Sequence, residues 1–319
     1  MASARVAAVD CGTNSIRLLV ADVDAATGAV TDLDRRMEVV RLGEGVDRTG
    51  ALAPQALERT LAATRRYAEV VRARGAQRVR FVATSASRDA SNAHLLVAGV
   101  REALGVDPEV VSGDEEAALS FRGATGGLSR GHPAPHLVVD LGGGSTELVL
   151  GDGAAGRVEA ARSVDVGCVR LTERHLHDDP PAAAQVAAAR ADARAALDLA
   201  AAAVPLARTR TLIGVAGTVT TITAHALRLP GYDAAAIHGA AVPVDAVLAA
   251  CADLLAMPRA ARAALPFMHP GRVDVIGAGA LLWGEVVARV AAESGVREVV
   301  ASEHDVLDGI ALALARAGG

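Results

Sequence analysis

The chain has 319 residues, of which 51% are hydrophobic but only 2% aromatic, and its formal net charge is −5. This length favours two domains with aliphatic, helix-rich cores, and the mild acidity excludes a bulk basic field of the kind that attracts nucleic acid. Cys11, Cys168 and Cys251 are widely spaced and lack a metal-ligand pattern, which indicates reduced thiols in a cytoplasmic protein. No secretion signal and no apolar stretch of about 18 residues is visible, so we expect no membrane association.

The first half of the chain predicts alternating strands and helices. Strands are expected at 5–10, 16–22 and 39–42, and a helix is expected to start near Pro54 and to end near Gly75. A buried strand at 79–83 is followed by a loop that enters a helix, where Ser85 or Ser87 could act as the cap. Arg88 in this loop is either a phosphate ligand or an ordinary surface arginine.

A further strand is predicted at 106–111, and a helix opens after it with the sequence Ser112-Gly113-Asp114-Glu115-Glu116-Ala117. Ser112 and Glu115 fit a capping box. Glu116 lies one residue beyond that pattern. It is either a surface acid favoured by the helix dipole or, if it faces a ligand, a general base.

The residues 136–150 are the most informative stretch of the sequence. A buried strand ends at Asp140, a turn of three glycines with Ser145 follows, and a second strand starts near Glu147. Glycines without a Cβ let an oxygen-rich ligand approach the backbone N–H groups, and a run of such groups binds anions. Carboxylates supply the hard oxygen ligands that Mg²⁺ prefers. The stretch therefore predicts a site for phosphate and metal.

The same pattern occurs near the start of the chain. Residues 9–18 align without gaps to residues 139–148, with Asp10 matching Asp140 and Arg17 matching Glu147. This internal repeat predicts two related lobes, each with a phosphate-binding turn that faces one cleft. We expect the lobes to cover residues 1–128 and 129–319, joined by a crossing at 126–135.

The second lobe repeats the alternation of strands and helices. A strand is predicted at 158–164, a strand or turn element at 168–171, and an alanine-rich outer helix at 181–203. Two further glycine turns, at 214–221 and 277–279, either touch a ligand or mark close backbone crossings. A last strand at 296–301 and a last helix at 305–315 complete a mixed-sheet α/β pattern.

These ordered motifs resemble the exopolyphosphatase/guanosine pentaphosphate phosphohydrolase family, and the resemblance extends from about residue 5 to residue 315. The segments that carry it are 8–15, 83–88, 112–117 and 140–147. The resemblance implies a two-lobed actin-like fold of the ribonuclease H-like superfamily, with duplicated mixed sheets and an interdomain cleft. It also implies a homodimer and a Mg²⁺ cofactor, for which Mn²⁺ is an alternative.

The resemblance assigns roles to individual residues. Glu116 matches the family's catalytic base, and Arg88 and Glu147 complete the expected catalytic set. Asp140, Glu147 and Asp10 are the expected metal ligands. The expected phosphate-binding residues come from both turns: Gly12, Thr13, Asn14, Ser15, Arg17, Gly142, Gly143, Gly144 and Ser145.

We therefore expect metal-assisted hydrolysis of a terminal phosphoanhydride. The substrate is inorganic polyphosphate or, alternatively, guanosine pentaphosphate (pppGpp), an alarmone of the stringent response. Longer family members carry additional C-terminal domains that help to hold long polymer, so this shorter pattern favours short chains. A kinase of the same superfamily is less consistent with the Glu116 position. A non-catalytic sensor of polyphosphate or alarmones is less consistent with the retained acids.

Overall fold

The computed structural model describes residues 3–24, 26–128 and 131–316. The strands are β1 (Ala4–Cys11), β2 (Ser15–Val23), β3 (Val30–Val39), β4 (Arg78–Ala83), β5 (Glu109–Val110), β6 (His136–Leu141), β7 (Thr146–Asp152), β8 (Arg157–Val164), β9 (Thr211–Val215), β10 (Ala241–Pro243) and β11 (Glu298–Ala301). The α-helices are α1 (Val46–Thr49), α2 (Pro54–Arg74), α3 (Ser85–Asp89), α4 (Ala93–Leu104), α5 (Gly113–Leu128), α6 (Cys168–His175), α7 (Ala183–Ala201), α8 (Ala216–Ala226), α9 (Ala234–Ile237), α10 (Val244–Ala256), α11 (Arg259–Ala263), α12 (Ile276–Ser294) and α13 (Val306–Arg316).

The chain forms two compact units. The first comprises Met1–Gly123 and Val306–Gly319, and the second comprises Ala124–Asp305. Relative to the boundary expected at 128/129, the division falls inside α5, and the last helix belongs to the first unit. Residues 129 and 130 of the expected crossing lie outside the described residues.

Each unit contains a mixed sheet with the same strand order. In the first unit the order is β3-β2-β1-β4-β5, and in the second it is β8-β7-β6-β9-β11, with β10 added at the edge. The first three strands of each sheet pair antiparallel, and the next two join in parallel. This is the arrangement of the ribonuclease H-like sheet, so the predicted actin-like fold class with duplicated mixed sheets is confirmed.

The internal repeat extends into the hydrogen-bond register. Asp10 pairs with Arg17 across β1 and β2, and Asp140 pairs with Glu147 across β6 and β7. In each unit the pairing of the second strand with the third also shifts register: Leu33 of β3 and Glu159 of β8 are extra residues, opposite the steps that follow Val20 and Leu150. These two steps are separated by the same offset as the matched aspartates. The two units are therefore copies of one fold, down to the irregularity in the pairing of the second and third strands.

The sheet of the first unit is buried on both faces because successive residues of a strand point to opposite sides. Ala7 and Val9 of β1 belong to a core with Tyr67 of α2. Val6 and Ala8 belong to a second core, to which α13 contributes four fully or nearly fully buried apolar residues, Val306, Leu307, Ile310 and Ala311. Burying a Val, Leu or Ile side chain contributes about 1.5–3 kcal/mol, so α13 is an integral part of the first unit.

Several expected elements differ in the structure. The third strand lies at Val30–Val39 rather than at 39–42, and β5 has only two residues. The segment expected as a strand or turn from 168 is helix α6. Gly277 and Gly279 lie inside α12 rather than in a turn before it. Among the described residues, no helix combines the length and apolarity required to cross a membrane.

Candidate functional site

The turn between β1 and β2 holds its carbonyl groups in backbone hydrogen bonds. The N–H of Gly12 donates to the carbonyl of Ser15 at 3.0 Å. The carbonyl of Asn14 accepts from the N–H groups of residues 40 and 41, and that of Thr13 accepts from Gly43 at 2.8 Å. In the ranges 3–24, 26–128 and 131–316, the N–H groups of Thr13 and Asn14 have no protein acceptor. The turn thus offers donors and few acceptors, which favours an anion.

The turn between β6 and β7 is built in the same way. The N–H of Gly142 donates to the carbonyl of Ser145 at 3.1 Å. The carbonyls of the three glycines accept from the start of α6: from Cys168 N–H at 3.1 Å, from Val169 N–H at 2.9 Å and from Nε of Arg170 at 2.8 Å. Within the described part of the chain, no protein group accepts from the N–H groups of Gly143 and Gly144. Both expected phosphate turns therefore have the polarity that a phosphate requires.

Two glycines outside the motifs allow this close backbone approach. A Cβ on Gly167 would lie 2.4 Å from the carbonyl oxygen of Gly143, and a Cβ on Gly43 would lie 2.3 Å from Cγ2 of Thr13. Neither glycine was a predicted site residue. The sequence gives no sign of either contact, because Thr13 is distant along the chain from Gly43 and Gly143 is distant from Gly167. Its one relevant feature is a second glycine, Gly45, close to Gly43.

The hairpin of the first unit contains an ion pair. Nε and Nη2 of Arg17 both donate to Oδ2 of Asp10, at 2.9 and 2.6 Å, and the Asp10 carboxylate is almost completely buried. The expected phosphate role of Arg17 and the expected metal role of Asp10 stay predictions, because each side chain already has a charged partner in the other.

The hairpin of the second unit places two acids at the equivalent positions. Asp140 and Glu147 are register partners, so both side chains leave the same face of the sheet, and both residues are buried. Oε1 of Glu147 accepts a hydrogen bond from the Ser163 hydroxyl at 2.7 Å. Like charges that face each other across strands destabilise a sheet unless a cation lies close to them.

Two carboxylates are a donor set that fits Mg²⁺, which commonly uses one or two protein carboxylates together with substrate phosphates. Among the described residues, no group of three or more His, Cys, Asp and Glu side chains could hold a metal ion by itself. The pair Asp140 and Glu147 therefore fits a metal that the substrate also coordinates.

The expected base and arginine lie together in the first unit. Nη1 of Arg88 donates to Oε2 of Glu116 at 3.1 Å and to the carbonyl of Val111 at 2.9 Å. Glu116 is only 8% exposed. Its neighbour Glu115 forms an exposed ion pair with Arg80, and the N–H of Glu115 bonds to the Ser112 hydroxyl as in the predicted cap. The two adjacent glutamates thus have separate partners.

The caps expected at Ser85 and Ser87 are wrong. The hydroxyl of Ser85 shares a 2.8 Å hydrogen bond with that of Thr13, which ties α3 to the first turn. The Ser87 hydroxyl is buried without a hydrogen-bond partner among the described residues. Helix α3 has only five residues, and Arg88 lies in its last turn.

The two later glycine segments, 214–221 and 277–279, mark close packing. A Cβ on Gly214 would lie 2.6 Å from the Trp283 ring, and one on Gly279 would lie 2.6 Å from Cγ2 of Thr218. Ala216, between β9 and α8, has a φ of 69°, in the left-handed region that a non-glycine residue rarely adopts. Strain of this kind is often retained at functional sites, and ligand contact at these segments stays a prediction.

The repeated ribonuclease H-like sheets, each with a donor-rich turn after its first strand, define a two-unit protein of the actin-like class. Within that class, the chain belongs to the Ppx/GppA phosphatase family, whose model matches residues 19–314.

Individual relatives agree with this assignment. The chain is 51% identical over 322 residues to "Exopolyphosphatase 2" of Mycobacterium tuberculosis, which covers 99% of this chain and 100% of that protein. A crystal structure described as an exopolyphosphatase-like protein has a TM-score of 0.95 and 44% identity, and it covers 99% of both chains. The Vibrio cholerae "Guanosine-5'-triphosphate,3'-diphosphate pyrophosphatase" is 38% identical over 175 residues, which is 54% of this chain and 33% of that protein.

Proposed function

We propose that this chain is an exopolyphosphatase that hydrolyses the terminal phosphoanhydride bond of inorganic polyphosphate, preferentially of short chains, and releases orthophosphate. The observation that carries the proposal is the 51% identity, over the whole length of both proteins, to a protein named an exopolyphosphatase. The two donor-rich turns and the buried Glu116 supply the chemistry that this reaction needs.

The base is Glu116. Its carboxylate orients a water molecule and accepts a proton as the water oxygen attacks the terminal phosphorus. The bond from that phosphorus to the bridging oxygen breaks, and the shortened polyphosphate leaves with that oxygen. Arg88, which holds Glu116 before substrate arrives, stabilises negative charge on the non-bridging oxygens.

The turns bind the phosphates. The N–H groups of Thr13 and Asn14 in the first unit, and of Gly143 and Gly144 in the second, donate to phosphate oxygens, and the hydroxyls of Ser15 and Ser145 add further donors. Because fixed carbonyl contacts hold both turns in advance, little reorganisation is needed when the anion binds.

The metal is Mg²⁺, with Mn²⁺ as an alternative, and Asp140 and Glu147 would hold it. When bound, it neutralises charge on the phosphate oxygens. Ser163 holds the Glu147 carboxylate in position through its hydrogen bond.

The second candidate is hydrolysis of guanosine pentaphosphate at its terminal phosphate. It is supported by the 38% identity to the Vibrio cholerae enzyme over about half of this chain. The same turns and the same base serve both substrates, since the reacting group is a terminal phosphoanhydride in each.

The test is phosphate release with Mg²⁺ from short polyphosphate, long polyphosphate and guanosine pentaphosphate in parallel. We expect the highest kcat/KM for short polyphosphate. A higher value for the nucleotide would replace the proposal by the second candidate. Binding without release from any of the three would indicate a sensor.

The protein is further proposed to act in the cytoplasm as a homodimer. Three buried free cysteines are consistent with a reducing compartment. Light scattering after gel filtration tests the dimer, and a monomer mass of 32.3 kDa would contradict it.

A further inference from the structure

A groove of about 560 Å³ lies in the second unit, away from the glycine turns. Its lining comes from the segment before β6, from β9 and β11 with the residues just before them, and from the end of β10: His132, Pro133, Arg210, Thr211, Pro243, Val296, Arg297, Glu298 and Val300. The parallel strands begin at this edge of the sheet, whereas the Gly142–Ser145 turn follows the end of β6. Six residues of strand separate the two places, roughly 20 Å.

Two arginines stand side by side in this lining. Leu212 of β9 is the register partner of Val299 of β11. Arg210 lies two residues before Leu212, and Arg297 lies two residues before Val299. The two arginines therefore lie opposite each other, just before the starts of two neighbouring parallel strands. Neither guanidinium has an ion-pair partner among the described residues. Adjacent like charges repel, and an anion between them would relieve that repulsion.

The groove is formed by fixed backbone. The Thr211 hydroxyl donates to the carbonyl of Pro133 at 2.8 Å, and the N–H of Arg210 donates to that of Pro135 at 2.9 Å. On the other side, the N–H of Val244 donates to the carbonyl of Arg297 at 2.9 Å. A binding site held in this way loses little conformational entropy when a ligand binds.

The remaining lining indicates which anion fits. Pro133, Pro243 and Val296 present apolar surface, which an inorganic phosphate chain does not use but a nucleobase does. Glu298 is the acid of the lining, and its carboxylate can accept from ribose hydroxyls or a base amino group.

We propose that this groove binds a nucleoside polyphosphate, with its phosphates between Arg210 and Arg297 and its base against the proline and valine surface. The site is separate from the glycine turns, and its occupancy does not depend on which substrate the enzyme hydrolyses.

The test is isothermal titration calorimetry with ADP on the full chain. Arg210→Ser/Arg297→Ser removes both guanidinium groups from the groove. Arg65→Ser/Arg72→Ser is the matched control, because it removes the same charge from exposed positions of α2. Glu147→Gln alters the turn site and leaves the groove unchanged. Equal thermal midpoints establish that each variant is folded.

We expect the groove variant to bind ADP at least tenfold more weakly, and the control and Glu147→Gln to bind it as the wild type does. Loss of binding in Glu147→Gln with full binding in the groove variant would place ADP at the turns and overturn the proposal. In a parallel titration, we expect inorganic tripolyphosphate to bind the groove more weakly than ADP. Equal affinity would contradict recognition of the nucleoside.

Phosphate release without ADP should be the same in the groove variant and the wild type. Failure of the groove proposal is therefore distinct from failure of the hydrolase proposal.

Discussion

Nη1 of Arg88 lies 3.1 Å from Oε2 of Glu116, which joins the last turn of α3 to the first turn of α5. The same Nη1 also donates to the carbonyl of Val111, just before α5. Arg88 therefore fixes both the carboxylate and the backbone that carries it. With Glu116 as the proposed base, a carboxylate oriented in this way does not need to be ordered during the reaction.

Removing this arginine should impair catalysis strongly. We predict that Arg88→Ala lowers kcat for phosphate release by about 100- to 1,000-fold, as the loss of one charge-stabilising donor does elsewhere. Arg88→Lys should recover only part of the rate, because an ammonium lacks the planar fork of the guanidinium. Arg101→Ala removes an exposed arginine paired with Asp107 and serves as the control. A rate for Arg88→Ala within twofold of that control would remove Arg88 from the mechanism.

The glycines that support the turns should be as sensitive as the turns themselves. In Gly167→Ala the new Cβ would meet the Gly143 carbonyl oxygen at 2.4 Å, which displaces the second turn. We predict a fall in kcat/KM of about 100-fold, the usual effect of a shift near 1 Å at a reacting group. Gly231→Ala, whose Cβ would meet no atom within 4 Å, should leave kcat/KM unchanged. Equal values for the two variants would show that the turn tolerates displacement.

The ion pair in the first hairpin should contribute mainly to stability. Arg17→Met leaves the buried Asp10 carboxylate without this partner. We predict a loss of about 3 kcal/mol in the free energy of unfolding, measured in urea. The double variant Asp10→Asn/Arg17→Met should regain part of it, because no charge is then left buried. If the double variant is less stable than Arg17→Met, the pair is not the source of the loss.

Ser163 should influence metal binding through Glu147. In Ser163→Ala the 2.7 Å hydrogen bond to Oε1 of Glu147 is lost. We predict that the Mg²⁺ concentration for half-maximal activity rises by about tenfold, as is typical when the support of a metal ligand is removed. Direct Mn²⁺ binding, measured by electron paramagnetic resonance, should weaken in parallel. Ser91→Ala, which loses a hydrogen bond to the Gly50 carbonyl, is the control. An unchanged Mn²⁺ affinity in Ser163→Ala would argue against Glu147 as a ligand.

The cysteines should be unreactive in the folded protein. Burial raises the pKa of Cys251 to about 12, and burial also raises the pKa of Cys11 and of Cys168. At pH 8 only roughly one Cys251 thiol in ten thousand is then the reactive thiolate. We predict no reaction with a thiol-specific disulfide reagent at pH 8, and reaction of all three cysteines in urea. Fast reaction of any cysteine in the folded protein would contradict its burial.

The repeat was predictable from sequence because its evidence is local. Asp10 and Asp140, with the glycines and serines that follow them, lie in short ungapped segments, and these segments determine two hairpins with the same register. The alternation of helices and strands in each half predicted mixed sheets, while the strand order comes from the structure.

The supports of the site were not predictable, because they come from distant segments. Nothing near Gly143 in the sequence indicates that Gly167 packs on its carbonyl, and nothing near Glu147 indicates Ser163. The apolar face of α13 predicts a buried helix but does not indicate which of the two sheets the helix packs against. Only the structure assigns it to the first unit.

The most direct test of the central claim is phosphate release from short polyphosphate by Glu116→Gln beside Glu115→Gln. The two variants make the same chemical change at adjacent residues, one buried against Arg88 and the other exposed beside Arg80. We predict that Glu116→Gln loses about 100- to 10,000-fold in kcat and still binds polyphosphate in calorimetry, while Glu115→Gln stays within twofold of the wild type. If Glu116→Gln keeps most of its activity, Glu116 is not the base and the proposed mechanism is wrong.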